Sequence, residues 1–154
     1  MCIRDSLYRD RTGALLVCSH DAEKLLDVRS QLALLARNLW STPPDHGAAV
    51  VAQILGDAAL KQLWVEEVEA MRQRIAELRV GLVEALAPHG LSERFAHIAA
   101  QRGMFSYTGL SPEQVKHLRE RHSVYMVGTG RANSAGADAA RLEALAAAIA
   151  DVCR

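Results

Sequence analysis

The order of apolar and polar positions divides this chain into elements. Gly13-Ala14-Leu15-Leu16-Val17-Cys18 is a short apolar run bounded by turn residues, a pattern that suits a fully buried strand of a parallel sheet. Between Asp21 and Trp40, Leu25, Val28, Leu32 and Leu35 recur at helical spacing and predict a helix. Pro43 and Pro44 then break it, because proline is excluded from a helix interior. Ala48 to Leu55 reads as a short apolar helix.

Asp57 opens the longest predicted element, which runs to about Leu86. Leu60, Trp64, Val68, Met71, Ile75, Leu78, Leu82 and Leu86 step by three or four, so one stripe is expected to face a core. Glu66, Glu67, Glu69, Arg72 and Arg74 charge the other side. A helix of this size spans roughly 45 Å, which suggests a strut between domains. Pro88-His89-Gly90 ends it. Phe95 to Ile98 and Met104 to Tyr107 read as strands, and Val124 to Val127 as a strand with Arg131 to Asn133 as its short partner. Ser111-Pro112-Glu113-Gln114 predicts a helix start: Ser caps, Pro fits the first turn, and Gln114 completes a capping box. That helix is expected to reach His122. Asp138 to Val152 is the last predicted helix, with Leu142, Leu145, Ile149 and Val152 inward. Strands mixed with helices make the expected fold class α/β.

Composition narrows the function. Half of the 154 residues are apolar, and eighteen acids balance eighteen bases. That balance leaves no field to draw the chain to nucleic acid or an anionic membrane. No apolar run reaches the ~18 residues of a membrane span. Cys2, Cys18 and Cys153 are odd in number and lack metal-ligand spacing, so they read as reduced thiols of a cytoplasmic protein.

Few residues carry chemistry on their own. Arg131 follows an apolar run and Gly128-Thr129-Gly130, where the backbone or a ligand could approach closely. A guanidinium there either grips a planar carboxylate with two parallel hydrogen bonds or makes a surface ion pair, and the residues alone leave both open. Phe105 and Tyr107 alternate with Met104 and Ser106, which suits core packing. Gly128-x-Gly130 lacks the third glycine and the strand–helix context of a dinucleotide site. His20 beside Asp21, near Ser19 and Cys18, is set aside as a nucleophile set, because sequence neighbours rarely point into one site. His117 and His122 are five apart, on different helix faces, and do not make a metal pair.

Four blocks change those odds together. They are Leu7-Tyr8-Arg9-Asp10-Arg11-Thr12-Gly13, Arg37 to Gly47, Arg102-Gly103-Met104-Phe105-Ser106-Tyr107-Thr108-Gly109-Leu110, and Val124 to Ala135. In this order and spacing they resemble the latter part of a class I aminotransferase of the aspartate/tyrosine/aromatic amino acid group, over essentially everything after Ser6. The resemblance implies the C-terminal part of a pyridoxal-phosphate fold type I transferase. Residues 7–70 would be a remnant of the large cofactor-binding domain and 71–154 a small C-terminal domain. It implies that Arg11 binds the cofactor phosphate, where a guanidinium supplies both charge and donors for a dianion. It implies that Arg131 clamps the substrate α-carboxylate, and that Phe105 is an apolar wall of the pocket. Arg37 would reach the neighbouring subunit's site in a homodimer and meet the distal carboxylate of a dicarboxylic substrate; Ser41 shares its loop. Amino acids and 2-keto acids are the implied substrates. Leu39 and Trp40 stand where the group commonly has asparagine and tyrosine, and Thr42 varies the same loop, which bears on substrate range.

One position departs more seriously. The lysine that holds pyridoxal phosphate in this family lies eight residues before the match of Arg11, and that place is Ile3. Met1 to Ser6 does not continue the family pattern, and the expectation is a non-family leader joined to a fragment. Lys24, Lys61 and Lys116 fall in predicted helices elsewhere. The acid that pairs with the pyridinium nitrogen has no match either. The chain is therefore expected to lack transaminase activity alone. The other class of reading is a non-catalytic binding or scaffold domain derived from the same fold.

Overall fold

The computed structural model describes residues 12–42 and 44–154. They divide into two compact units, one ending at Trp64 and one beginning at Val65. Among the described residues no single helix is long and apolar enough to cross a membrane.

The first unit is built on helix ends. Helix α1 (Ala22–Trp40) starts at Asp21, whose carboxylate accepts from the backbone N–H groups of Glu23 and Lys24 at 3.1 and 3.3 Å. Those are two of the donors that a first turn leaves unpaired. They also lower the Asp21 pKa, with the Lys24 backbone bond the largest cause. Arg37 lies in the last turn, where a cation meets the negative end of the helix dipole. Helix α2 (His46–Gly56) follows. Asp57 closes it by donating its N–H to the Gln53 carbonyl, and its side chain accepts from Leu60 N at 2.9 Å. One residue thus ends α2 and caps α3 (Ala58–Leu86).

The expected strand over 13–18 does not form. Residues 12–19 have no regular structure, and Leu15 and Leu16 are 72% and 87% exposed. A strand needs a neighbour for its N–H and C=O groups, and no described residue pairs with this run. The stripe of α1 is uncovered for a related reason: the helix buries no residue, and Leu32 and Leu35 stay exposed.

The second unit holds the core. Helix α3 buries Leu78, Arg79 and Leu86, while Leu60, Trp64 and Met71 of its expected stripe are exposed. Two single turns follow, α4 (Ser92–Phe95) and α5 (His97–Ala100), where a strand was expected. The reason is spacing: Phe95 and Ile98, three apart, both enter the core, which one helical face allows and an alternating strand does not. Strand β1 (Phe105–Tyr107) comes next, then α6 (Pro112–His122). The capping box of α6 is complete: Ser111 Oγ accepts from Gln114 N, and Gln114 Oε1 accepts from Ser111 N. Residues 124–127, expected as a strand, are irregular, although Val127 N donates to Arg131 O at 3.2 Å. Strand β2 (Arg131–Asn133) pairs antiparallel with β1, not with 124–127 as expected, and α7 (Leu142–Cys153) is the last helix. Val115 and Leu118 of α6 pack with Ala146 and Ile149 of α7, and the small alanines permit the close approach. Across the seam, His122 Nε2 and Asp151 Oδ2 lie 3.0 Å apart, the main cause holding the Asp151 carboxyl below its usual range.

Leu15, Leu16, Leu26, Leu39 and Trp40 are each more than 60% exposed, and exposed large apolar side chains of this kind bind apolar dyes where they adjoin. The 154-residue chain is expected to bind an apolar-surface dye with a clear fluorescence gain, and Leu15→Ser with Leu16→Ser should reduce it. A chain that raises no dye signal would show that this surface is covered in solution.

Candidate functional site

The site candidates meet on one short sheet. In the register Phe105↔Asn133, Ser106↔Ala132 and Tyr107↔Arg131, cross-strand partners share a face. Phe105, Tyr107, Arg131 and Asn133 therefore stand on one face, and Ser106 with Ala132 on the other. The faces differ in burial: Ser106 is buried, while Phe105 and Tyr107 are 39% and 57% exposed. This excludes core packing for the two aromatic rings within the described chain.

A tight turn delivers Arg131 to that face. Gly130 N donates to Val127 O at 2.8 Å, and Gly130 O accepts from both Thr108 N at 2.9 Å and Thr108 Oγ1 at 2.8 Å. Gly130 is buried at φ +79°, and a Cβ there would stand 3.0 Å from Leu110 O and 3.1 Å from Thr108 Oγ1. Only glycine fits both the left-handed backbone and the close approach. The next residue, Arg131, lays its guanidinium carbon 4.9 Å from the centroid of the Phe105 ring. A cation over an aromatic face is attracted by the ring quadrupole. Among the described residues no carboxylate pairs with Arg131. Around the two lies an open cleft of about 350 Å³, lined also by Tyr125, Met126, Val127 and Asn133.

Behind the cleft is a residue that the sequence reading did not single out. Arg79 of α3 is 4% exposed. Its Nε donates to Ser106 Oγ at 2.9 Å and its Nη1 to Gln101 O at 2.9 Å; its Nη2 donates to Gly103 O at 2.6 Å and Phe105 O at 3.1 Å. Burial pushes its pKa down from the ordinary value, yet a guanidinium stays charged in proteins. The signal was present: Arg79 falls four after Ile75 and three before Leu82, inside the apolar stripe. Tyr125 and Asn133 were missed as cleft residues because only the fold brings 124–127 beside β1.

The other predicted residues lie elsewhere. Arg37 and Ser41 belong to the first unit, at the end of α1, and both are exposed. Ser41 N donates to Arg37 O at 2.9 Å, and Ser41 holds φ +59°, a backbone state that a non-glycine residue adopts at a cost. Arg11 and Ile3 lie outside the described residues.

The described residues do not by themselves make a pyridoxal phosphate site. Lys24 pairs with Asp21 on α1, Lys116 lies 3.9 Å from Glu120 along α6, and Lys61 is exposed on α3. None of them lines the Arg131 cleft, and neither does an acid. The cleft suits a carboxylate beside an apolar or aromatic side chain.

The family model for "Aminotransferase class I and II" matches residues 6–149. The aromatic-amino-acid aminotransferase of Pseudomonas aeruginosa is 74% identical over 147 residues, covering 96% of this chain and 37% of that protein. The aspartate aminotransferase of the same organism is 40% identical over equal shares. The crystal structure of the Burkholderia pseudomallei aromatic-amino-acid aminotransferase, covalently bound to pyridoxal phosphate, superposes with a TM-score of 0.86 at 44% identity, over 97% of this chain and 37% of that one. The chain thus spans a little over a third of the length of the relatives it matches.

Gly130→Ala should cost about 1–3 kcal/mol in a denaturant melt, because strain at positive φ adds to the contact with Leu110 O. Gly128→Ala is the control: nothing lies within 4 Å of its Cβ, so the change should stay within about 0.5 kcal/mol. Equal costs for the two would mean that the turn does not depend on Gly130.

Proposed function

The chain belongs to the class I and II aminotransferases, and from that membership we propose that it supplies the substrate-carboxylate part of an aminotransferase site. The proposed reaction transfers an amino group between an amino acid and a 2-keto acid, with aromatic amino acids and aspartate as donors and 2-oxoglutarate as acceptor. The enzymes of this group use pyridoxal phosphate, and the Burkholderia pseudomallei neighbour carries it covalently bound. The observation that carries the reading is the Arg131 guanidinium laid over Phe105 in an open cleft.

The physical case runs from charge to orientation. Arg131 presents a planar fork of N–H donors, which matches a planar carboxylate with two parallel hydrogen bonds. Phe105 holds the guanidinium from one face and leaves the other edges for the anion. The apolar surfaces of Phe105, Tyr125 and Val127 favour an aromatic or aliphatic substrate body beside the charged end. Fixing the α-carboxylate restricts how the α-carbon can turn, and restricting it is a large part of what such a site contributes to rate. Arg11 is assigned to the cofactor phosphate. Arg37, with Ser41 on the same loop, is assigned to the distal carboxylate of a dicarboxylic substrate in the partner subunit of a homodimer. Residues 7–70 are assigned to the large domain and 71–154 to the small one. We place the protein in the cytoplasm, where thiols such as Cys18 and Cys153, both free, stay reduced.

The lysine that holds the cofactor is not supplied by the described residues, so the 154-residue chain is expected to be inactive alone. Mixed with pyridoxal phosphate and treated with borohydride, it should give no stoichiometric adduct on a single lysine, and no turnover of tyrosine or aspartate. Such an adduct together with turnover would overturn the assignment.

The carboxylate roles are tested in a chimera in which only the matched part of this chain, without Met1–Ser6, replaces the corresponding 147 residues of the Pseudomonas aeruginosa aromatic-amino-acid aminotransferase. Arg131→Leu should lower kcat/KM for every amino acid, since all carry an α-carboxylate; losing one partner of a desolvated charge pair costs roughly 2–5 kcal/mol. Arg37→Leu should lower it for aspartate and 2-oxoglutarate far more than for aromatic amino acids, which offer no second anion. Activity within a few-fold of the parent for Arg131→Leu would remove it as the clamp. Equal losses on both substrate classes for Arg37→Leu would remove it as the distal contact.

A further inference from the structure

Arg79 occupies a position that a hydrophobic residue would normally hold on α3. Among the described residues no carboxylate neutralises it. It is ringed by three backbone carbonyls, from Gln101, Gly103 and Phe105, and by the Ser106 hydroxyl. Carbonyl oxygens that converge on one point repel one another and, if buried, need donors. A forked cation meets several of them at once, so the segment 101–106 takes its shape around the guanidinium.

Two of the four acceptors, Phe105 O and Ser106 Oγ, flank a single peptide unit of β1. Holding the carbonyl of one residue and the side chain of the next fixes that peptide plane. Side chains alternate along a strand, so the plane that turns Ser106 toward Arg79 turns the Phe105 ring to the opposite face. That ring lies against the Arg131 guanidinium. The tie continues to the second strand, because Ser106 Oγ is 2.6 Å from Ser134 Oγ, immediately after β2. Arg74, five residues earlier on α3, donates to Ala135 O at 3.1 Å and Ala137 O at 3.2 Å. One helix therefore holds the chain entering β1 and the chain leaving β2, each through an arginine bound to backbone carbonyls.

We propose that Arg79 is a positioning residue: by fixing the Phe105 peptide and ring, it sets where the Arg131 guanidinium stands. Its functional meaning rests on reading Arg131 as the carboxylate clamp, but the placement itself is testable without substrate. Lysine cannot replace it in this role. An ammonium concentrates its donors on one nitrogen and cannot span Nε, Nη1 and Nη2 contacts that reach four acceptors.

The test uses the full 154-residue chain, 15N-labelled, with the Arg131 Nε–H resonance identified by its loss in Arg131→Lys. In the unaltered chain the Phe105 ring current should move that resonance upfield, and Phe105→Leu should abolish the displacement. Arg79→Lys keeps the charge and is expected to remove most of the displacement. It should also speed amide exchange roughly tenfold or more in peptides covering 103–108 and 131–134, with α6 and α7 still protected. An unmoved Arg131 resonance, or exchange that rises uniformly through α6 and α7, would reduce Arg79 to a general stabiliser and overturn the proposal. If Arg79→Lys does not fold, Ser106→Ala and Ser134→Ala break the tie one bond at a time; each should displace the resonance in the same direction by less, and no displacement in either overturns it. Titration with 3-phenylpropanoate separates the two readings. A saturable shift of Arg131 that Arg79→Lys weakens about tenfold supports both. A resonance that answers Arg79→Lys but not 3-phenylpropanoate supports the positioning role and removes the carboxylate reading.

Discussion

A buried guanidinium organises the second unit. Burying a cation is costly unless its donors find partners, and each side-chain nitrogen of Arg79 finds at least one among three carbonyls and a hydroxyl. The turn at 101–104 gives two carbonyls to the guanidinium, and α3 would otherwise bury a charge without acceptors. Gly103, at φ +87°, bends the chain so that its carbonyl reaches the guanidinium.

The sheet that carries Phe105 and Arg131 is too short to hold itself. Two strands of three residues make few ladder bonds, and an isolated two-stranded pair is marginal in water. Side chains complete what the ladder lacks. Gln101 Oε1 accepts from Tyr107 N at 2.7 Å and its Nε2 donates to Tyr107 O at 2.9 Å, so one side-chain amide serves the outer edge of β1 as a neighbouring strand would. Thr108 adds a second bond to Gly130 O beside the backbone one. The site is thus precise because polar side chains from flanking segments fix two strand ends, and the hydrophobic core lies behind them.

The two units differ in what they bury. In the second, Leu86, Phe95, Ile98, Leu118 and Ile149 are almost wholly inaccessible, and α6 and α7 close over them. In the first, α1 buries nothing and α2 buries only Gly47. Both units have well-formed helix caps, so local structure does not account for the difference. Capping and dipole terms contribute about 1 kcal/mol each and need no partner, whereas burial needs a second surface. This is why the helices of the first unit form as their periodicity predicts while their apolar stripes remain uncovered.

Wherever short-range physics decides, the sequence alone determined the outcome. The capping box at Ser111 and Gln114, the helix starts at Asp21 and Asp57, and the span of α3 were all legible, because spacing and side-chain chemistry set them; that 131–133 pairs with 105–107 and not with 124–127 was not. The family was legible as well, since four ordered blocks carry it. The tertiary structure decided what depends on a neighbour. The run at 13–18 has the composition of a buried strand but no pairing partner among the described residues, so it is irregular. Residues 95–98 have strand-like composition, but the core accepts Phe95 and Ile98 from one side, so they form helical turns. Arg79 reads as one more charge on a long helix until the fold sets four acceptors around it. Arg131 reads only as a cation at a strand end until the register sets it over the Phe105 ring. A single position in a sequence specifies what a side chain can donate; only the packed chain specifies which acceptors are within reach.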